Sequence, residues 1–437
     1  MPKKKTALTI EERLQQALVP AEEQPYEVPE NWVWVRLLST FINKTDSKKK
    51  IQQKSYLNTG DYAVVDQGQN LIGGYTDDAS LQYDGELPVV VFGDHTRCVK
   101  YIDFKFVQGA DGVKILLPVK SYDSKFFYYA IMNLNIPNMG YRRHFPLFDK
   151  LSLPLPPLSE QQRIVERIEE LFAKLDEAKE RLQEVADSFA VRKAAILHKA
   201  FTGELTQQWR RANGVSDASW EEKKLGEVGS WLGGGTPSTS REEYWENGNI
   251  LWITSKDMKS TVIEDTLMKV NEIGVKNSSA NYIEKPALLV VMRSGILRRT
   301  FPVAMVKKPF TVNQDLKAII PDKDDLEFLY WMLLSNEQRI LDTCMKNGTT
   351  VESINSNALK DLTFKCPTLP EQHEIVRLID DLLARERAAQ QATEQALASI
   401  DLMKKSILAR AFRGELGTNK ASEASALELL KQVLAEG

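Results

Sequence analysis

The 437-residue sequence predicts an α+β chain: two related globular segments, each followed by one of two long helices that pair antiparallel as a coiled coil, with an internal two-fold pseudo-repeat. Three observations predict it. "ILHKAFTGEL" from Ile196 and "ILARAFRGEL" from Ile407 lie 211 residues apart, and "LPPLSEQQRIVERIEELF" from Leu155 and "CPTLPEQHEIVRLIDDLL" from Cys366 share that offset, so two copies of one element are present. Between the paired motifs the apolar residues follow a heptad seam. Upstream of each copy, short apolar runs are punctuated by glycine-rich turns.

The first helical copy carries the seam at Ile164, Ile168, Leu171, Leu175, Ala178, Leu182, Val185 and Phe189, in alternating steps of four and three. The second keeps the register at Ile375, Ile379, Leu382, Ala389, Ala396, Ile400, Met403 and Ile407, interrupted by Glu386 and Thr393, which predicts looser packing midway. Ser159 suits an N-cap and Pro370 a first turn. Gly203 and Gly414 suit helix ends. Each helix would run about 63 Å at 1.5 Å per residue and act as a spacer holding the globular segments at opposite ends.

The globular segments are relatives. "NWVWVRL" from Asn31 and "SWEEKKL" from Ser219 share a Trp five positions before a Leu. "LPVVVFG", "GVKILLP", "ALLVVMR" and "FPVAMVKK" read as strands. "KFFYYAIMNL" and "EFLYWMLLSN" read as helices. The expected divisions are an N-terminal helical segment at 1–30, a first globular domain at 31–158, a helix at 159–205, a linker at 206–218, a second domain at 219–369, a helix at 370–416 and a C-terminal tail helix at 417–437. The amphipathic "TIEERLQQALV" and "SALELLKQVLA" near the ends would pack on the spacer or on a partner.

Composition excludes several classes. With 43% hydrophobic and 27% charged residues the chain reads as globular, and its basic N-terminus precedes no apolar run, which predicts a cytoplasmic protein. Three scattered cysteines and four scattered histidines argue against a disulfide framework or a metal centre. The net charge of −3 gives no global basic excess, so nucleic acid would be met by local patches. Residues 31–158 carry 15 Lys and Arg against 12 Asp and Glu, and 219–369 carry 19 against 20. There is no phosphate-binding G-x-x-x-x-G-K-[S/T], since "GGGTPS" lacks the following lysine. Methyltransferase and nuclease motifs are also missing. The chain reads as non-catalytic.

Together, "PLPPLSEQQRIVERIEELFAKLD", "HKAFTGELT", their second copies, "GGGTPSTSREEYWENGNILWITSKDM" and the Trp-x4-Leu starts resemble the DNA-specificity subunits of type I restriction-modification enzymes. The resemblance covers nearly the whole chain. It implies two target-recognition domains, each reading one half of a split, asymmetric double-stranded DNA site, with the helices docking two methyltransferase subunits and motor-nuclease subunits joining them. S-adenosylmethionine, ATP and magnesium would belong to those partners, with no cofactor on this chain. Alternative readings are the specificity chain of a related methylation or phage-defence complex lacking the motor-nuclease, and a coiled-coil scaffold.

Base and phosphate contacts need polar and basic side chains on loops and helix ends. In the first domain the candidates are Gln67, Gln69, Asn70, His95, Arg97, Arg142, Arg143 and His144. In the second they are Thr236, Ser238, Thr239, Ser255, Lys256, Arg293, Ser294, Arg298, Arg299, Asn347, Thr349 and Thr350. The basic run "NKTDSKKKIQQK" suits phosphates. A partner-docking surface is expected at Glu160, Gln161, Phe201, Glu204, Glu371, Gln372, Phe412 and Glu415.

Overall fold

The apolar runs become paired strands in a computed structural model that describes residues 9–346 and 351–436. The chain divides into two units: everything described up to Gln183 together with the segment from Gln395 onward, and Glu184–Glu394. Each division therefore falls part-way along a long helix.

In the first unit an antiparallel sheet runs in the order Phe41–Asn43, Val113–Pro118, Val89–Gly93, Val99–Ile102. A smaller sheet places Ile51–Gln52 and Tyr62–Val65 parallel to Val107–Ala110, with Gly74–Thr76 on the outer edge. Val33–Arg36 pairs with Ser152–Leu155, so entry to and exit from the lobe lie side by side.

The second unit repeats this plan. Gly229–Gly233, Leu316–Pro321, Ala287–Val291 and Val303–Val306 form an antiparallel sheet of the same connectivity. Ile250–Ile253 lies parallel to Phe310–Val312 and antiparallel to Met268–Val270, and Glu221–Lys224 pairs with Thr363–Cys366. Val89–Gly93 and Ala287–Val291 are buried throughout, which is why both read as unbroken apolar runs rather than alternating ones.

One helix in each unit covers the larger sheet. Ser124–Asn133 is capped by Asp123, whose carboxylate accepts from Lys125 N and Phe126 N. Leu326–Ser335 is capped by Asp325, which accepts from Phe328 N. The long helices span Leu158–Phe201 and Leu369–Ala411. Ser159 is not an N-cap: the helix starts one residue earlier, and Pro157 O accepts from both Glu160 N and Gln161 N. Gly203 and Gly414 adopt φ of +82° and +75°, as expected of residues just past a helix end.

Within each unit the helices run antiparallel. In the first, Lys404 reaches Asp176 at 2.5 Å and Lys179 reaches Asp401 at 3.9 Å. In the second, Arg192 Nε donates to Glu386 at 2.9 Å, so the charge that breaks the seam has a partner on the facing helix. Thr393 is buried and turns its hydroxyl back to Ala389 O at 2.8 Å. The seam itself is offset from the expected register: Leu383 and Leu408 are buried, while Met403 stands half exposed and Leu382 is only partly covered.

The helix ends belong to the lobe cores. Ile164 and Ile168 pack with Phe92, Phe126 and Phe148, and Leu408, Ala411 and Phe412 join the same cluster. In the second unit Ile375, Ile379, Leu197 and Ala200 pack with Phe301, Phe310 and Phe328. The short helices Ile10–Ala17 and Ala426–Glu436 pack on one another, with Ala17, Ala426 and Leu430 in the same cluster as Ile164 and Leu408 of the long helices, and Arg13 donates to Leu434 O at 2.8 Å.

Candidate nucleic-acid interface

Loops at one rim of the first lobe gather many of the expected contacts. Gln67 Oε1 accepts from His95 N at 3.2 Å, and Gln67 O accepts from the Thr96 hydroxyl at 2.6 Å. Asp94 N donates to Gly112 O at 2.6 Å, joining the turn after Val89–Gly93 to the turn before Val113–Pro118. Arg97 takes φ of +61° and donates to Ile136 O at 2.9 Å, so its guanidinium is partly committed to the fold. Gln69, Asn70, Arg142 and Arg143 are exposed. Lys50 pairs with Asp111 at 2.6 Å and holds that carboxyl below the usual range.

His144, an expected DNA contact, is turned into the core. Its ring is fully buried, Met139 N donates to Nε2 at 3.2 Å, and Nδ1 lies 2.8 Å from Asp94 O. With Nε2 accepting, Nδ1 carries the proton and donates, which fixes the neutral tautomer. Asp94 Oδ1 accepts from Phe145 N at 2.7 Å. The pair clamps the loop that carries Arg142 and Arg143.

The second rim is organised by Asn313, Gln314 and Asp315, which the sequence reading missed. Asn313 N donates to Ile253 O at 3.0 Å, Gln314 accepts from the Thr236 hydroxyl at 2.8 Å, and Asp315 O accepts from Met292 N at 2.8 Å. Three loops are thereby tied together: 233–239, 253–257 and 292–299. Thr236, Ser238, Thr239, Lys256, Arg293 and Arg299 are exposed along them, and Ser255 is partly covered. Two expected contacts also have partners within the fold. Ser294 caps the turn Gly295–Arg298, and Arg298 is ion-paired to Glu352, whose carboxyl it holds below the usual range. Asn347, Thr349 and Thr350 lie outside the described residues.

Most of the expected docking residues face inward. Gln161 Oε1 accepts from Asp123 N at 2.7 Å while its amide donates to Ser121 O and Pro156 O. Gln372 Oε1 accepts from Asp325 N at 2.7 Å while its amide donates to Asp324 and Pro367 O. Each glutamine thus pins its long helix to the helix capped by that aspartate. Glu160 accepts from Trp32 Nε1 at 2.7 Å and Asn419 at 2.9 Å, and Glu371 binds Thr206 and Arg210. Phe412 is buried against Phe126 and Phe201 lies half-buried against Phe328, with ring centroids 5.1 and 5.5 Å apart. The docking expectation therefore fails for Glu160, Gln161, Glu371, Gln372 and Phe412, because their polar groups and rings are already used inside the chain. Glu204 and Glu415 remain exposed.

The duplicated sheets, clamps and rims are matched by a known family. The type I restriction modification DNA specificity domain matches twice, over residues 29–187 and 218–397. The chain belongs to this family. It is the specificity subunit of a type I restriction-modification system, with two DNA-recognition domains. It is 30% identical over 361 residues to the type I restriction enzyme EcoR124I/EcoR124II specificity subunit of Escherichia coli, covering 79% of this chain and 85% of that one. It is 26% identical over 315 residues to the EcoDI specificity subunit of E. coli, covering 65% and 69%. The fold is shared with the HsdS subunit from Thermoanaerobacter tengcongensis, at a TM-score of 0.60 and 16% identity over 90% of this chain and all of that one.

In this specificity subunit the two family matches coincide with the two copies of the sheet plan, and each runs on into the long helix that follows. Among the described residues no cluster of His, Cys, Asp or Glu is placed to hold a metal ion, and no helix is long and apolar enough to cross a membrane. The inward glutamates and glutamines have a signal in the sequence: "SEQQ" and "PEQH" recur at the shared offset beside prolines. Duplication alone does not say whether a repeated residue faces a partner or a core.

Proposed function

We propose that each lobe reads one half of a bipartite, asymmetric DNA site through its rim loops, and that the long helices present equivalent surfaces to two methyltransferase subunits. The complex directs adenine methylation and, with motor-nuclease subunits, restriction. This chain carries no catalytic group of its own, and S-adenosylmethionine, ATP and magnesium are handled by the partners. The observation that carries the reading is the pairing of one sheet plan and one Gln–Asp clamp in two copies with rims of different residues. A preserved frame suits identical partners, and diverged loops suit two different half-sites. Glu204 and Glu415, at matching positions in the two repeats, are the exposed residues of the expected docking set and are offered to those partners.

The test is to replace residues 31–158 with the corresponding lobe of another specificity subunit and to map methylated adenines made by the complex. A change confined to one half of the target supports the reading. A change in both halves, or in neither, contradicts it.

A further inference from the structure

We infer that Tyr141, stacked on His95, reads the first half-site by contacting the methyl group of a thymine in the major groove. The inference rests on the DNA-reading role proposed above and assigns one position within it.

Tyr141 is 84% exposed, yet its ring is not loose: it lies on the His95 imidazole with centroids 4.6 Å apart and planes 10° from parallel. The platform beneath is built. His95 N is held by Gln67 at 3.2 Å, and the ring lies so close to Gly112 that any Cβ there would fall 2.7 Å from His95 Cδ2. The His95 Nδ1 is buried with no hydrogen-bond partner among the described residues, so on that side the imidazole is committed to packing, and its face carries the Tyr141 ring. The loop above is fixed at its far end by buried His144 and Asp94 and turns at Gly140, whose φ is +68°.

The charge pattern assigns the division of labour. Arg142 and Arg143, both exposed, supply attraction to phosphates. A phenol offers a phosphate one hydroxyl hydrogen bond and no charge, whereas exposing its ring to water is costly without an apolar partner. The apolar feature of a base edge in the major groove is the thymine methyl. A ring already ordered on His95 loses little freedom on meeting it.

The experiment uses the full chain in complex with its methyltransferase subunits and duplexes in which single thymines of the first half-site are replaced by deoxyuridine, removing only the methyl. With the native chain, one position should weaken binding about fourfold, the contribution of one buried methyl. Tyr141→Phe should keep that sensitivity, whereas Tyr141→Ala should abolish it while leaving the salt dependence of binding unchanged. Uracil sensitivity that persists in Tyr141→Ala, or its absence at every thymine with the native chain, overturns the inference while the two-half-site reading stands. Loss of all sequence preference by the native complex overturns that reading and the inference with it.

Discussion

Arg210 donates from Nη1 to Glu371 Oε1 at 2.7 Å in the interior of the second unit, where the Thr206 hydroxyl meets the same oxygen at 2.6 Å. The first unit repeats the glutamate without that buried arginine: Ala421 stands 211 residues after Arg210, and Glu160 is held by hydrogen bonds from Trp32 and Asn419, with Arg163 attracting its charge from nearby. Two copies of one buried carboxylate have thus acquired different partners.

Glu371→Gln would leave Arg210 with only Asp217 as a counter-charge, and that aspartate is largely exposed. Removing one member of a buried pair is strongly destabilising, so we expect a loss of roughly 3 kcal/mol in the second unit by denaturant unfolding. Glu160→Gln should cost less than about 1 kcal/mol, because a glutamine oxygen accepts from Trp32 and Asn419 and its amide can donate to the Thr418 hydroxyl. Equal losses for the two variants would contradict this asymmetry.

Burial pushes the Glu160 carboxyl above the usual carboxylate range, against the opposing pull of its hydrogen bonds to Trp32 and Asn419. A folded-state pKa above the unfolded value means that folding favours the protonated form. Stability from this group therefore rises as pH falls through that range, and its charged form is a cost above it. The difference in unfolding free energy between Glu160→Gln and the native chain should shift in favour of the variant as pH rises from 4 to 8. A difference that stays flat with pH would contradict it.

Phe412 and Phe201 occupy matching positions but are covered differently. Phe412→Ala should destabilise its unit by about 3–5 kcal/mol, the usual loss for a buried ring, and Phe201→Ala by less. Thermal unfolding of the single variants measures both, and a larger loss for Phe201→Ala would count against the packing described.

Gly414 has φ of +75°, and a Cβ there would meet Pro29 at 2.5 Å, whereas Gly417 has φ of +74° in open space. Gly417→Ala should cost about 1–2 kcal/mol for the left-handed backbone alone. Gly414→Ala should cost more, since Pro29 must also move. Chemical denaturation of the pair separates strain from crowding.

Arg142→Ala and Arg143→Ala should each weaken DNA binding by the complex across all sequences and lower the slope of log affinity against log salt by about 1. Binding measured between 50 and 200 mM salt tests this. A change in base preference with an unchanged slope would identify that arginine as a base reader.

The frame was legible because duplication is arithmetic: the offset of 211 located the starts of both long helices to within a residue, and "LPVVVFG" and "ALLVVMR" became buried central strands. The direction of individual side chains was not. Gln161 and Gln372 lie in the first turns of their helices, where a polar residue ordinarily faces water, and only the approach of Asp123 and Asp325 turns them inward. His144 follows two exposed arginines yet is drawn into the core by Asp94, fifty residues earlier. Asn313, Gln314 and Asp315 escaped notice because they are three ordinary turn residues whose importance comes from the three loops meeting on them.

The most direct test of the central claim is to map the adenines methylated by this chain with its methyltransferase subunits, before and after exchange of residues 31–158. The account predicts a split target of two unlike half-sites, with one half replaced by the exchange and the other kept. A single continuous target, or an exchange that alters both halves together, would contradict it.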